Sequence, residues 1–281
     1  MIVGLLMLGG GAAAGAFGSL LGLGGGVLIV PLLTFGFGLP LREAVGVSLV
    51  SVIMTSSAAA GVYLERHVAN LRLGMTLELF TALGALIGGT IAFLLDERLI
   101  SLLFAGLLGY VAFTMARAGR TEPFLEGAAM DSDQGDQGDV GDVVRGRPTM
   151  LERLSGEDYR VRNLGRGIVG ATAAGIVSAV LGIGGGIIKV PLMHLSMGVP
   201  LRVATATSNL MIGITAAAST VIYVIHGGID PYVAGPTAIG VFIGATAGSR
   251  LSHRVDIGRL RLLFVAVLAY TASQMLLRVV G

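Results

Sequence analysis

Cysteine is absent from the 281 residues, which excludes disulfides, thiolate metal sites and thiol catalysis together. Charge is scarce: 13% of residues are charged and 54% are apolar, where a soluble domain carries about a quarter charged residues. With a mean hydropathy of +0.84 the chain belongs in a bilayer. The four histidines, His67, His194, His226 and His253, are scattered and mostly near segment ends, so no haem or zinc constellation is visible. No nucleophile, base and orienter stand at recognisable spacing, so neither an enzyme nor a cofactor is expected. No Lys or Arg precedes Arg42, so the start of the chain lacks the basic region of a cleavable signal peptide and reads as a permanent first helix.

What is abundant is glycine, 45 residues of it, without the three-residue period of collagen. The glycines expose an internal duplication. Gly22, Gly24, Gly25, Gly26, Pro31, Gly38, Pro40, Leu41, Arg42, Ala44 and Ser48 recur 160 residues later as Gly182, Gly184, Gly185, Gly186, Pro191, Gly198, Pro200, Leu201, Arg202, Ala204 and Ser208. The register slips by four residues, so that Gly84 and Gly88 match Gly240 and Gly244, and returns with Phe104 on Phe264 and Tyr110 on Tyr270. Two copies of about a hundred residues make up nearly the whole chain.

Apolar segments fall at 2–21, 24–38, 41–64, 74–95 and 99–117, and again at 166–182, 184–198, 201–226, 232–250 and 259–280. Most approach the roughly 20 residues that span a hydrocarbon core as helix. Segments 24–38 and 184–198, which follow the glycine triplets, are too short for an untilted crossing and either cross or fold back as re-entrant half-helices. The expected fold is an all-α polytopic membrane protein: a first transmembrane repeat over 1–117, a linker over 118–165 and a second repeat over 166–281. The linker holds ten acids against six arginines and cannot bury a core, so it reads as a mobile aqueous connection. A calcium loop is the alternative, but the EF-hand order of acids and its closing Glu are missing.

Arginines set the expected topology. If each repeat changes sides an odd number of times, fifteen positive residues collect on the linker's face and only Arg42, Arg98 and Arg278 on the other; an even number gives eleven against seven. The positive-inside rule then puts the linker in the cytoplasm and both termini outside. Odd repeats must be inverted relative to each other, an architecture recurrent in secondary transporters.

Three consecutive glycines disfavour helix by about 1 kcal/mol each relative to Ala, so a helix should break at each triplet and a new one start there. The first-turn amides of a new helix lack intrahelical partners, and its end carries partial positive charge, which together suit an anion. Gly24, Gly25 and Gly26 and their counterparts Gly184, Gly185 and Gly186 are therefore candidate substrate-binding residues. Nearby polar groups join them: Ser48, Thr55 and Ser56 in the first copy, and Thr205, Thr207, Ser208 and Asn209 in the second. Each has a plainer reading: the triplets could serve close helix crossing, and the hydroxyls could bond their own backbone. Asn209 needs partners for its amide at membrane depth. Lys189, the single lysine, stands where the first copy has Ile29. An intramembrane cation is by default functional, the alternatives being snorkelling or bonding the carbonyls of a broken helix. Glu78 could relay protons, but its place near a segment start makes solvation the expectation. The glycines do not spell G-x-G-x-x-G or a Walker loop and follow no strand, so a nucleotide site is rejected and no nucleic-acid partner is expected.

The doubled pattern Gly-Leu-Gly-Gly-Gly-x3-Val-Pro and Gly-Ile-Gly-Gly-Gly-x2-Lys-Val-Pro, with Gly-x-Pro after each and Ala-Thr-Ala-Thr-Ser-Asn in the second copy, resembles the sulfite exporter TauE/SafE family, also called the toluene sulfonate uptake permease family. The resemblance covers 1–117 and 166–281 and excludes the linker. It implies a bacterial inner-membrane permease for sulfite or organosulfonates, working as a secondary carrier, with the paired glycine motifs and Thr207, Ser208 and Asn209 as the family's motif positions. The expected partners are a small sulfur oxyanion or sulfonate, the lipid bilayer and a coupling ion. A passive anion channel, a carrier of another small organic anion, and a membrane scaffold acting through the linker are the competing readings.

Overall fold

The computed structural model describes residues 2–20, 25–65, 69–118, 154–155, 159–251 and 257–280. Among them there is no strand. The first repeat contributes α1 (Ile2–Leu20), α2 (Gly26–Pro31), α3 (Leu41–Glu65), α4 (Leu71–Leu94) and α5 (Glu97–Ala118). The second contributes α6 (Leu164–Leu181), α7 (Gly186–Pro191), α8 (Leu201–Ile225), α9 (Pro231–Leu251) and α10 (Ile257–Val280). Among the described residues, five helices, α3, α4, α5, α6 and α8, are long and apolar enough to cross a membrane. The acidic stretch of the linker lies outside the described residues.

Local chemistry explains where the helices start and stop. Asn70 caps α4 by accepting the Leu73 amide at 3.0 Å. The short helices α2 and α7 each follow a glycine in the left-handed region, Gly25 at φ 74° and Gly185 at φ 76°, a conformation that side chains disfavour. Each ends on a proline, Pro31 or Pro191, and continues as a π-helical turn, Leu32–Gly36 or Leu192–Ser196. Proline supplies no amide to the α-helical ladder, so the turn loosens there. The helix interruptions expected at both triplets are thus present, although Gly22 and Gly24 themselves lie outside the described residues.

The second break sends the chain back along the helix it came from. Gly185 lies against Ala174 and Ser178 of α6, Gly170 against Leu192, and Gly167 against Met197. Thus α7 and its π turn form the return limb of a hairpin.

Across the bundle the repeats trade equivalent contacts: α1 packs on α9 and α4 on α6, α3 on α9 and α4 on α8, while α3 meets α8 and α5 meets α10. Small residues allow the closest of these crossings. A Cβ added at Gly175 would stand 2.0 Å from the Thr81 carbonyl oxygen, and one at Gly244 1.9 Å from that of Ala12. The equivalent helices α3 and α8 run antiparallel: Gly46, near the start of α3, abuts Gly228 just past the end of α8, and Ser56 faces Gly213 further along. One end of the bundle gathers Asn70 with Leu154 and Tyr159, and Arg162 with Met197. The other gathers Arg42 with the Leu95 carbonyl and stacks Phe93 on His226.

Candidate functional site

The two breaks meet at the middle of the bundle, between α3 and α8. A Cβ on Gly26 would lie 2.6 Å from the Gly182 carbonyl oxygen and 2.8 Å from Val52, while one on Gly184 would touch both Val52 and Ile212. Only glycine lets the two turns approach this closely. Ser48 ties them: its hydroxyl donates to the Gly182 carbonyl at 2.7 Å, with the Gly26 carbonyl at 3.3 Å. The Ser48 hydroxyl is therefore engaged in the scaffold.

Its counterpart behaves differently. Ser208, 1% exposed, has a buried hydroxyl with no hydrogen-bond partner among the described residues, and it stands 3.7 Å from where a Gly186 Cβ would be. Ser178, whose Cβ lies 3.2 Å from the Cβ position of Gly185, is also buried and unpartnered. An unsatisfied buried hydroxyl is disfavoured by about 1–3 kcal/mol, and two of the buried unpartnered side-chain groups lie beside this one helix start, the others being at Thr34 and Arg42. The α7 start adds amides without intrahelical acceptors and has no side-chain cap.

The other expected site residues divide. Thr207 is buried and its hydroxyl accepts the Asn70 amide at 2.9 Å, fastening the start of α4 to α8. Thr205 bonds the Leu201 carbonyl of its own helix at 2.9 Å, and Thr55 that of Val52 at 3.0 Å. Asn209 is 8% exposed, and its backbone carbonyl accepts the Ser56 hydroxyl across the α3–α8 contact. Gly25 packs on Thr55, and Gly24 lies outside the described residues.

Lys189 neither snorkels nor bonds open carbonyls. It is 1% exposed, and its ammonium meets Glu78 Oε2 at 3.2 Å and the Thr215 hydroxyl. Thr215 donates in turn to Glu78 Oε1 at 2.6 Å. Glu78, expected in solvent, is 4% exposed and ion-paired. The expectation fails because α4 enters the bundle between α6 and α8, so a residue two turns from its start is already covered on both flanks. The stem of Lys189 turns back towards its own helix start, its Cε 3.5 Å from the Cβ position of Gly185, as helical side chains lean.

Sequence reasoning missed Ser178 and Thr215. Ser178 stands inside the duplicated motif where the first copy has Gly18, a difference that could have drawn notice. Thr215 matches Thr55 and carried no such signal.

The sequence profile of the family described as Sulfite exporter TauE/SafE matches residues 7–275. The chain is 24% identical over 274 residues to the probable membrane transporter protein YunE of Bacillus subtilis, covering 95% of this chain and 94% of the relative. A probable membrane transporter protein of Xylella fastidiosa is 27% identical, with 89% and 85% covered, and one of Methanocaldococcus jannaschii is 23% identical, with 95% and 93% covered. No solved structure matches the chain. A family match over nearly the whole length, on a helical bundle with five membrane-length apolar helices, makes this chain a multi-pass membrane transporter belonging to the sulfite exporter TauE/SafE family.

Proposed function

We propose that the chain is a secondary carrier for a small sulfur-containing anion, sulfite or an organosulfonate, held where the two glycine breaks meet. The observation that carries this reading is the pair of buried, unpartnered hydroxyls, Ser178 and Ser208, beside the uncapped start of α7. An oxyanion leaving water needs several convergent donors, because an ion without them in a low-dielectric interior is disfavoured by tens of kcal/mol. The hydroxyls, the amides over Gly184, Gly185 and Gly186, and the Lys189 ammonium are of that kind. Three oxygens on one sulfur fit such a spread of donors, which is the reason for favouring a sulfonate-like head.

The antiparallel run of α3 and α8, together with the arginine partition, supports two repeats inverted across a bacterial inner membrane, with the linker cytoplasmic. Alternating access would then be a rocking of one half against the other about the central breaks. The test is reconstitution in lipid vesicles. Labelled sulfite or a simple sulfonate should accumulate at carrier rates, and Lys189→Ala and a bulky residue at Gly185 should each reduce flux at least tenfold. Flux unchanged in both variants removes the site, and single-channel conductance well above carrier turnover replaces the carrier with a channel.

A further inference from the structure

The duplication supplies an internal control for the buried ion pair. Under the repeat offsets Lys189 corresponds to Ile29, Glu78 to Ala234 and Thr215 to Thr55. Ile29 and Ala234 are both buried. The equivalent position of the fold, built from α2 of the first repeat and α9 of the second, is therefore filled by an aliphatic side chain and a methyl group. Packing does not require charge there. A buried ion pair is weak as a source of stability, since desolvation offsets most of the attraction, and apolar replacement is often neutral. Its presence at one of the two equivalent positions only points to a job.

Geometry suggests which. Lys189 is on the return limb that begins at the second break, Glu78 is on α4 and Thr215 on α8, so the pair bridges three elements that meet beside Gly185 and Ser178. No other charge competes for Glu78 among the described residues. Of the elements packed around it, α4 otherwise offers exposed Arg72 and α6 exposed Arg166. The π turn after α7 offers His194, whose Nδ1 is bonded at the Val199 carbonyl, and α8 offers Tyr223, whose hydroxyl donates to the Ala179 carbonyl.

We propose that Glu78 is the coupling proton acceptor of the carrier: a proton from water neutralises its carboxylate, the ion pair opens, and the freed Lys189 ammonium takes the anion, so that one proton travels with each monovalent anion. This rests on the reading of the chain as an anion carrier. The bonds balance: an O–H forms on Glu78, the Lys189–Glu78 contact breaks, and an ammonium-to-anion contact replaces it. Charge balances too. The empty site holds one carboxylate and one ammonium, and the loaded site holds one ammonium and one anion, so both are neutral. Loading the anion without the proton would leave a net negative charge in the low-dielectric interior, a state strongly disfavoured there. Thr215 suits both states. It now donates to Glu78 Oε1 at 2.6 Å, and with the Met211 carbonyl 3.0 Å away it can turn its proton there and accept from a neutral carboxyl.

The test counts protons during binding to purified full-length protein in detergent, in weak buffer with a pH indicator, with methanesulfonate and sulfite as probes. Wild type should take up about one proton per methanesulfonate bound, and above the titration range of Glu78 its affinity should fall roughly tenfold per pH unit, as linkage to one proton requires. Glu78→Gln should take up none and lose the slope with pH, and Lys189→Gln should lose binding. Binding by wild type without proton uptake overturns the coupling and leaves the carrier standing. Uptake that survives in Glu78→Gln also overturns it, because the proton then belongs to another group. Failure of both probes to bind wild type overturns the carrier reading and the coupling with it. The wild-type proton count stands even if a variant does not fold.

Discussion

Lys189 shows how one side chain can be conspicuous in a sequence while its partner is invisible. A lone lysine three residues past a glycine triplet announces itself; Glu78, 111 residues away, looks like any acid near a helix start. Pairing makes removal of one partner worse than removal of both, because the remaining charge is buried alone. Breaking a buried pair is destabilising by about 3–5 kcal/mol, whereas apolar replacement of the pair is often neutral. Lys189→Ile and Glu78→Ala should therefore each lower thermal stability in detergent by several degrees. The double variant, which places there the residues of the equivalent site, Ile29 and Ala234, should recover most of that loss while failing to bind anion. A double variant no more stable than the less stable single one would show that the pair is structural in a way the equivalent site of Ile29 and Ala234 does not share.

At the scale of helices, glycines serve two purposes that composition alone does not separate. Those at Gly25 and Gly185 provide left-handed turns, and those at Gly175 and Gly244 provide contact between helix backbones. Replacing a mid-helix glycine by alanine ordinarily favours the helix by about 1 kcal/mol. At Gly175 and Gly244 the new methyl would press on a carbonyl oxygen of the neighbouring helix, and overpacking of that kind is destabilising by about 1–3 kcal/mol. Gly106, with nothing within 4 Å of its Cβ position, is the control. Melting in detergent should show Gly175→Ala and Gly244→Ala below wild type, and Gly106→Ala at or above it. Equal melting of all three would mean that the α4–α6 and α1–α9 crossings are looser than these distances state.

Over the whole molecule, helix directions and arginines converge on one arrangement. Among the described residues, Arg72, Arg160, Arg162 and Arg166 stand towards the bundle end that holds Asn70 and Leu154, and Arg42 and Arg98 towards the end that holds Leu95. The absence of cysteine makes the topology directly measurable. Asp96 and Arg160 are exposed at opposite ends. In intact cells a membrane-impermeant thiol reagent should label Asp96→Cys, whereas Arg160→Cys should react only after the membrane is opened. Labelling of both from the same side would remove the inverted arrangement and, with it, the alternating access proposed for the breaks.

The amino-acid sequence by itself determined the membrane class, the duplication, the segment boundaries and the helix breaks. Each follows from short-range rules: hydropathy over a bilayer's thickness, the left-handed tolerance of glycine and the missing amide of proline. It also singled out Lys189, Ser208 and the triplets, since repetition and rarity can be read along a chain. Tertiary structure alone decided that Ser48 is occupied while Ser208 is not, that Ser178 lies unpartnered beside Gly185, and that Glu78 and Thr215 lie against Lys189. Those outcomes depend on which helices touch, and touching is settled by packing across residues far apart in the chain.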